Sequence, residues 1–325
     1  MPNETTSRSW WSTALVSYFF GPFGGFLWIG RGALAVVALA VISLAGLYVS
    51  YIGLPILPGL DLDVQSVVGL SNIGIGILSA FIVVPLARRS KPNKWYSHGL
   101  SVLVLAGAVT LLGALVIRSF LVQPFSIPAG NMQPTLMEGD HLFVSKLAYG
   151  YSRHSVPFGL MPIQGRIFGK EPERGDIVVF KSPQDLSIDY VKRAVGLPGE
   201  KIQMTGGVLH INDVPVLLEE IGPYTAIETG GNSAGLQRET LPNGVSYEVI
   251  NLTDGSLGDD TRPFTVPAGH YFMLGDNRDN SLDSRFSIGT VPYENLVGRA
   301  VRLFWNSRGI DYSARQSLSG ASTRD

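Results

Sequence analysis

Apolar positions follow two different patterns along this chain. In the first third they form long unbroken runs; beyond about residue 118 they shrink to short stretches cut by Gly, Pro and Asn. Residues 32–60 carry no charge, and 33–52 match the ~20 residues a helix needs to cross a bilayer. Residues 64–87 form a second uncharged run, with a span expected at about 66–87, and 99–117 form a third. Residues 9–30 are also uncharged, but Gly21-Pro22-Phe23-Gly24-Gly25 breaks them in the middle. Only Arg31 separates this stretch from the first span, so a re-entrant or interfacial pair of short helices fits better than another span. A cleaved signal peptide is a poor reading, because no small-residue cleavage pattern closes the stretch and further apolar runs follow.

Charge sharpens the division. Residues 1–117 hold only Glu4, Arg8, Arg31, Asp61, Asp63, Arg88, Arg89, Lys91 and Lys94. The bias of basic residues predicts orientation: the loop containing Arg88, Arg89, Lys91 and Lys94 belongs in the cytoplasm, and Asp61 and Asp63 on the far side. Three spans then put everything after Arg118 on the extracytoplasmic side of an inner or plasma membrane, in a multi-pass protein. The expected organisation is a membrane region over 1–117 and a polar domain over 118–325.

In the polar domain the periodicity changes to that of strands. Residues 142–144, 176–180, 190–195, 270–274 and 296–304 are short apolar or alternating runs bounded by turn residues. Residues 206–267 are richer in Gly, Thr, Asn and Asp and read as a peripheral lobe, while the tail from Ser307 reads as polar and loose. The fold class expected is an N-terminal α-helical membrane region followed by a mainly β domain.

Composition removes several functions. Of 325 residues 16% are charged, against ~25% in ordinary soluble proteins, and mean hydropathy is positive at +0.21. A net charge of −1 supplies no basic footprint for nucleic acid. The absence of cysteine excludes disulfides, thiolate catalysis and Cys-ligated metals. Five scattered histidines leave little basis for a metal site, and no cofactor is expected. A transporter is disfavoured because no charge interrupts the middle of the apolar runs.

Three segments concentrate polar chemistry. The first runs Pro124-Phe125-Ser126-Ile127-Pro128-Ala129-Gly130-Asn131-Met132-Gln133-Pro134-Thr135-Leu136. The second extends from Arg174-Gly175-Asp176 to Asp189-Tyr190-Val191-Lys192-Arg193-Ala194-Val195. The third is Gly275-Asp276-Asn277-Arg278-Asp279-Asn280-Ser281-Leu282-Asp283-Ser284-Arg285. If 190–195 is a strand, Tyr190, Lys192 and Ala194 share one face and Val191 and Arg193 the other. A lysine among apolar neighbours loses its charge readily and can serve as a general base; a lysine snorkelling to the surface is the plainer alternative. In the third segment, arginines interleaved with Asp276, Asp279 and Asp283 oppose a bound cation and suit an ion-pair network.

Together these segments resemble the type I signal peptidases, membrane-bound serine peptidases with a Ser/Lys dyad, from Arg118 to about Phe304. The resemblance implies a signal-peptidase-like β-fold and an endopeptidase that removes signal peptides from exported preproteins after small residues in an Ala-X-Ala-like pattern. It makes Lys192 the general base, with Tyr190, Phe180 and Met273 as its apolar surround. Arg193, Asp276, Asp283 and Arg285 match structural polar positions, and Ser281 matches a serine that orients the lysine. The nucleophilic serine precedes Met132 in the family's pattern, and here that position is Asn131; the serine two residues earlier is Ala129. A carboxamide nitrogen has a delocalised lone pair and forms no acyl-enzyme. Ser126 or Thr135 as replacement nucleophile, direct activation of water, and a non-cleaving pseudoenzyme that binds signal peptides or modulates a partner peptidase are the alternatives this departure opens.

Overall fold

The computed structural model describes residues 8–52, 64–90, 94–120, 122–155, 165–225, 233–311, Arg315 and Leu318. The chain divides into two compact units, Met1–Leu115 and Val116–Asp325.

The first unit is helical: α1 (Trp10–Trp28), α2 (Gly32–Ile52), α3 (Val64–Val83) and all but the last residues of α4 (Gly99–Phe120), with 3-10 turns at Val84–Arg89 and Trp95–Ser97. Ser9 caps α1 by accepting from the Ser12 amide. At Gly21 the backbone turns to φ 63°, so α1 is two short helices meeting at a kink, with Pro22 opening the second. Phe26, Leu27, Ile29, Ala35, Val83, Ala87 and Val102 form the interior of this unit. Its outer apolar side chains, Phe81, Leu100, Leu103 and Val104 among them, are exposed. Among the described residues, no helix is long and apolar enough to cross a membrane. The acidic loop with Asp61 and Asp63, and Lys91 of the basic loop, lie outside the described residues.

The second unit is mainly β. Its largest sheet joins β1 (Val122–Ser126), β2 (Asp140–Ser145), β3 (Ile177–Lys181), β4 (Asp189–Gly196), β12 (His270–Leu274), β13 (Val291–Pro292) and β14 (Leu296–Asn306). The spatial order is β1-β2-β14-β3-β4-β12-β13, with every pair antiparallel. β3, the second half of β4 and β12 are buried on both faces, which explains why β3 and most of β12 are continuous apolar runs; in β4 the buried stretch includes Lys192 and Arg193. One face packs on Met132, Leu136, Leu142, Ile177, Val179 and Leu303. The other packs on Tyr149, Val178, Phe180, Ala194, Met273 and Leu296.

Between β4 and β12 the chain builds two smaller sheets: β5 (Lys201–Thr205), β6 (Val208–Ile211), β7 (Val214–Pro215) and β11 (Phe264–Thr265) form one. The other is β8 (Leu217–Thr225), β9 (Ser233–Thr240) and β10 (Ser246–Asn251). This lobe is tied to the segment after β12, because the Ile250 amide donates to Asp276 O at 2.9 Å and the Arg278 amide to Ile250 O at 3.0 Å.

At the described positions the tail differs from the loose segment expected of it. Asp140 is fully buried, and it accepts from Arg315 at 2.6 Å and Asn306 at 2.7 Å. Leu318 packs into the core beside Leu303. A buried carboxylate needs such partners, and the tail supplies one of them.

Gly298, at a register shift between β14 and β3, leaves no room for a side chain: a Cβ there would stand 2.5 Å from Ser145 O and 2.8 Å from Val144 Cγ1. Gly298→Ala is expected to destabilise the polar unit by about 1–3 kcal/mol, measured by denaturant titration of the full chain followed by intrinsic fluorescence; an unchanged midpoint would refute this packing.

Candidate active site

The site assembles where β4, the end of β12 and the loop from β1 to β2 converge. β4 is built for alternation, and its two faces do different work. Opposite Val178 in the register with β3, Lys192 is completely buried. The apolar cluster on its side of the sheet contains Val178, Phe180, Ala194 and Met273, with Tyr190 packed against it. Phe180 and Tyr190 stack with ring centroids 6.0 Å apart. Into this surround Lys192 Nζ donates one hydrogen bond, to Ser281 Oγ at 2.7 Å.

The two carboxylates whose charge is felt at the amine, Asp283 and Asp276, do not pair with it. Asp276 is held by Arg193, whose Nε and second guanidinium nitrogen reach its two oxygens at 2.8 and 2.5 Å. Asp283 is held likewise by Arg285, at 2.9 Å on each oxygen. Each arginine presents a planar fork that matches a carboxylate bidentately. Burial therefore dominates at Lys192 and lowers its pKa to about 8; Asp283 and Asp276 pull the other way, and Arg285 adds to the lowering. Most of the Lys192 amine remains protonated at neutral pH, and the neutral fraction grows to half at about pH 8.

On the other face of β4, Arg193 anchors a second network. It donates to Gly175 O at 2.8 Å and to Thr135 Oγ1 at 3.3 Å, and Thr135 donates on to Asp276 at 2.5 Å. The guanidinium lies 3.8 Å from the centre of the Tyr247 ring. Glu239, wholly buried, pairs with Arg278 at 2.7 Å and accepts from the Tyr247 hydroxyl. Glu239 and Tyr247 come from β9 and β10, so the lobe completes the ion-pair system. Neither was legible beforehand, because nothing local to Arg278 or Arg193 points to partners in a remote segment.

Residue 131 enters through its backbone. The Asn277 amide donates to Asn131 O at 3.3 Å, and Asn277 Nδ2 donates to Gly130 O at 3.2 Å. Gly275 is the hinge of this arrangement: a Cβ there would lie 2.1 Å from Ser281 Oγ and 2.6 Å from Asn131 O. The absent side chain is what lets the lysine's hydroxyl partner and residue 131 approach each other. Asn131 itself is half-buried and Ala129 is exposed. Met132 points away, fully buried in the core with Leu136 and Leu142. Ser126 is exposed on β1, and Thr135 is occupied by the Arg193–Asp276 pair. Ser284 accepts from the Met273 amide at 2.9 Å and so ties the Ser281 loop to β12. Among the described residues, no group of His, Asp and Glu could hold a metal ion.

A desolvated amine hydrogen-bonded to a hydroxyl, on a mainly β scaffold, is the general-base arrangement of serine hydrolases that use lysine in place of histidine. The family described as signal peptidase, peptidase S26 matches residues 100–305, and the chain belongs to that family. Signal peptidase I of Rickettsia typhi (strain ATCC VR-144 / Wilmington) is 45% identical over 207 residues, covering 61% of this chain and 77% of the relative. Signal peptidase I of Rickettsia canadensis (strain McKiel) is also 45% identical over 207 residues, with the same coverage. A crystal structure of a signal peptidase I from Enterococcus faecalis V583 is 31% identical, covers 40% of this chain and 97% of that chain, and has a TM-score of 0.25.

The lysine's depressed pKa has a measurable consequence. An unfolded lysine titrates near 10.5, the folded one near 8. Between those values the unfolded chain binds more protons, so this group makes folding more favourable as pH rises from 8 to 10.5 and is a constant penalty below 8. Lys192→Met, similar in volume and without charge, is expected to raise stability at pH 7 by about 1–4 kcal/mol and to flatten the pH dependence in that window. Denaturant titrations at pH 7, 9 and 10.5 measure both; a lowered midpoint at pH 7 would show that the amine is not desolvated.

Proposed function

We propose that this chain is a signal peptidase I-type endopeptidase that removes signal peptides from exported preproteins, with Lys192 as general base. The observation that carries the reading is the buried, hydroxyl-bonded Lys192 beside residue 131 in a member of the peptidase S26 family. Phe180, Tyr190 and Met273 keep water from the amine; Arg193 and Arg285 keep Asp276 and Asp283 from pairing with it. An extended substrate has a sheet edge available on β1, the outermost strand, which runs into the loop bearing Ala129 and Asn131. Small side chains suit shallow pockets at such an edge, as in the Ala-X-Ala pattern. The reaction needs no cofactor, and nucleic acid has no part in it.

The helical unit serves as a membrane anchor in this reading, with spans in α2, α3 and α4 and a lipid bilayer as its partner. Support comes from the uncharged sequences of α2 (21 residues) and α3 (20 residues), from the absence of charge in α4 before Arg118, and from the exposed apolar side chains of α3 and α4. The polar domain then works on the extracytoplasmic side, where a signal peptide still in the bilayer presents its cleavage site. Alkaline carbonate washing of membranes from expressing cells is expected to leave the chain in the pellet; release into the supernatant would overturn the anchor.

Binding without cleavage is favoured by one residue, Asn131, whose amide can hydrogen-bond a substrate carbonyl but cannot attack it. Against it stands the retained lysine pocket, since a buried amine without a carboxylate is destabilising and a mere binder has no use for it. With purified full chain in detergent and a preprotein as substrate, Asn131→Ser is expected to raise the cleavage rate by about 10²-fold or more. Cleavage should rise with pH to a plateau above about 8, because the base acts as the neutral amine. Lys192→Ala in the same background is expected to abolish it. A folded Asn131→Ser protein that binds the preprotein and never cuts it would establish the binding role instead.

A further inference from the structure

We propose that Ser281 is the nucleophile of this chain, forming with Lys192 the Ser/Lys pair that residue 131 cannot complete. The inference rests on the peptidase reading above and deepens it.

The argument begins with which hydroxyl the base can reach. Lys192 Nζ and Ser281 Oγ are 2.7 Å apart, inside the range for direct proton transfer. The other hydroxyls near the site are committed or misplaced. Thr135 Oγ1 bonds Asp276 and Arg193 on the opposite face of β4. Ser284 is fully buried and accepts from the Met273 amide. Ser126 lies exposed on β1, five residues before the reacting position.

Position comes next. Ser281 Oγ and the main-chain carbonyl oxygen of Asn131 lie 2.1 and 2.6 Å from one point, the Cβ site on Gly275, so the hydroxyl stands beside the backbone of residue 131. Ser281 is 6% exposed and is flanked by exposed Asn280 and Leu282. The hydroxyl is therefore mostly covered, on a loop whose neighbouring side chains reach solvent. Its loop is braced: the Asn280 amide donates to Asn277 Oδ1 at 3.2 Å, and the Gly275 amide donates to Asp283 Oδ2 at 3.1 Å.

The chemistry balances within these groups. Neutral Lys192 Nζ takes the Ser281 hydroxyl proton as Oγ bonds to the scissile carbonyl carbon, and the carbonyl oxygen gains the negative charge. On collapse the carbon–nitrogen bond breaks, and the proton on Nζ passes to the departing amine. Water, deprotonated by the same Nζ, then adds to the ester carbon; the carbon–Oγ bond breaks and the proton returns to Ser281.

The test acylates the full chain in detergent with acetyl-Ala-Phe-Ala p-nitrophenyl ester, quenches in acid and maps the acyl group by mass spectrometry of proteolytic peptides. The acyl group is expected on Ser281 of the unaltered chain, its rate of formation rising with pH to a midpoint near 8 and falling about 10²-fold in Lys192→Ala. Ser281→Ala should neither acylate nor cut a preprotein. Acyl transfer to Lys192, to another residue or to none overturns the assignment, and because mapping uses the unaltered chain it decides even where Ser281→Ala fails to fold. Asn131→Ser run in parallel separates the two proposals. If it cuts preprotein and acylates at 131 while the unaltered chain does neither, the Ser281 role falls and the peptidase reading stands. If neither protein cuts, the peptidase reading falls too.

Discussion

The desolvation of one amine organises the whole site. Lys192 has no exposed surface and no carboxylate of its own, so its charge is poorly supported and its proton is loosely held. Such a side chain resists being buried, and the surrounding fold must be stable enough to impose it. That stability comes from the central strands of the seven-stranded sheet, β3, β4 and β12, whose apolar side chains fill both faces. The amine stands on a central strand buried on both faces, which holds it 2.7 Å from Ser281 Oγ.

The arginines explain how acidic residues can sit so close without spoiling this. Asp276 and Asp283 flank the loop that carries Ser281, and either could convert Lys192 into an ordinary ion pair. Arg193 and Arg285 occupy both oxygens of each. A guanidinium keeps its charge where an ammonium gives it up, so the division of labour between arginine and lysine follows from their chemistry. The lobe takes part as well. Tyr247 covers Arg193, Glu239 neutralises Arg278, and the Ile250 backbone clips the loop in place.

Much of this was readable from the residues in order, and the reasons for the rest are physical. Short apolar runs announced β3, β4, β12 and β14, because strands buried on both faces need them. Alternation along 190–195 placed Lys192 and Arg193 on opposite faces, and the structure puts them in separate networks. The mainly β character of the polar domain followed from the same runs. What stayed hidden depends on distance along the chain. The burial of Glu239 beside Arg278, the capture of Asp140 by Arg315 and the closeness of Asn131 O to Gly275 are contacts between remote segments. Local composition carries no trace of such pairings. Thr135 is instructive for the same reason, since its hydroxyl looked free in the sequence and is consumed by an ion pair.

Residue 131 is held by what its main chain offers, a carbonyl bonded by Asn277, on a half-buried loop outside the sheet. Its side chain can therefore change identity while the architecture stays put. Codons for serine and asparagine can differ by a single base, so one point mutation converts either state into the other. The scaffold thus behaves as a reversible archive: the main-chain bond that holds residue 131 is indifferent to which of the two side chains the codon specifies.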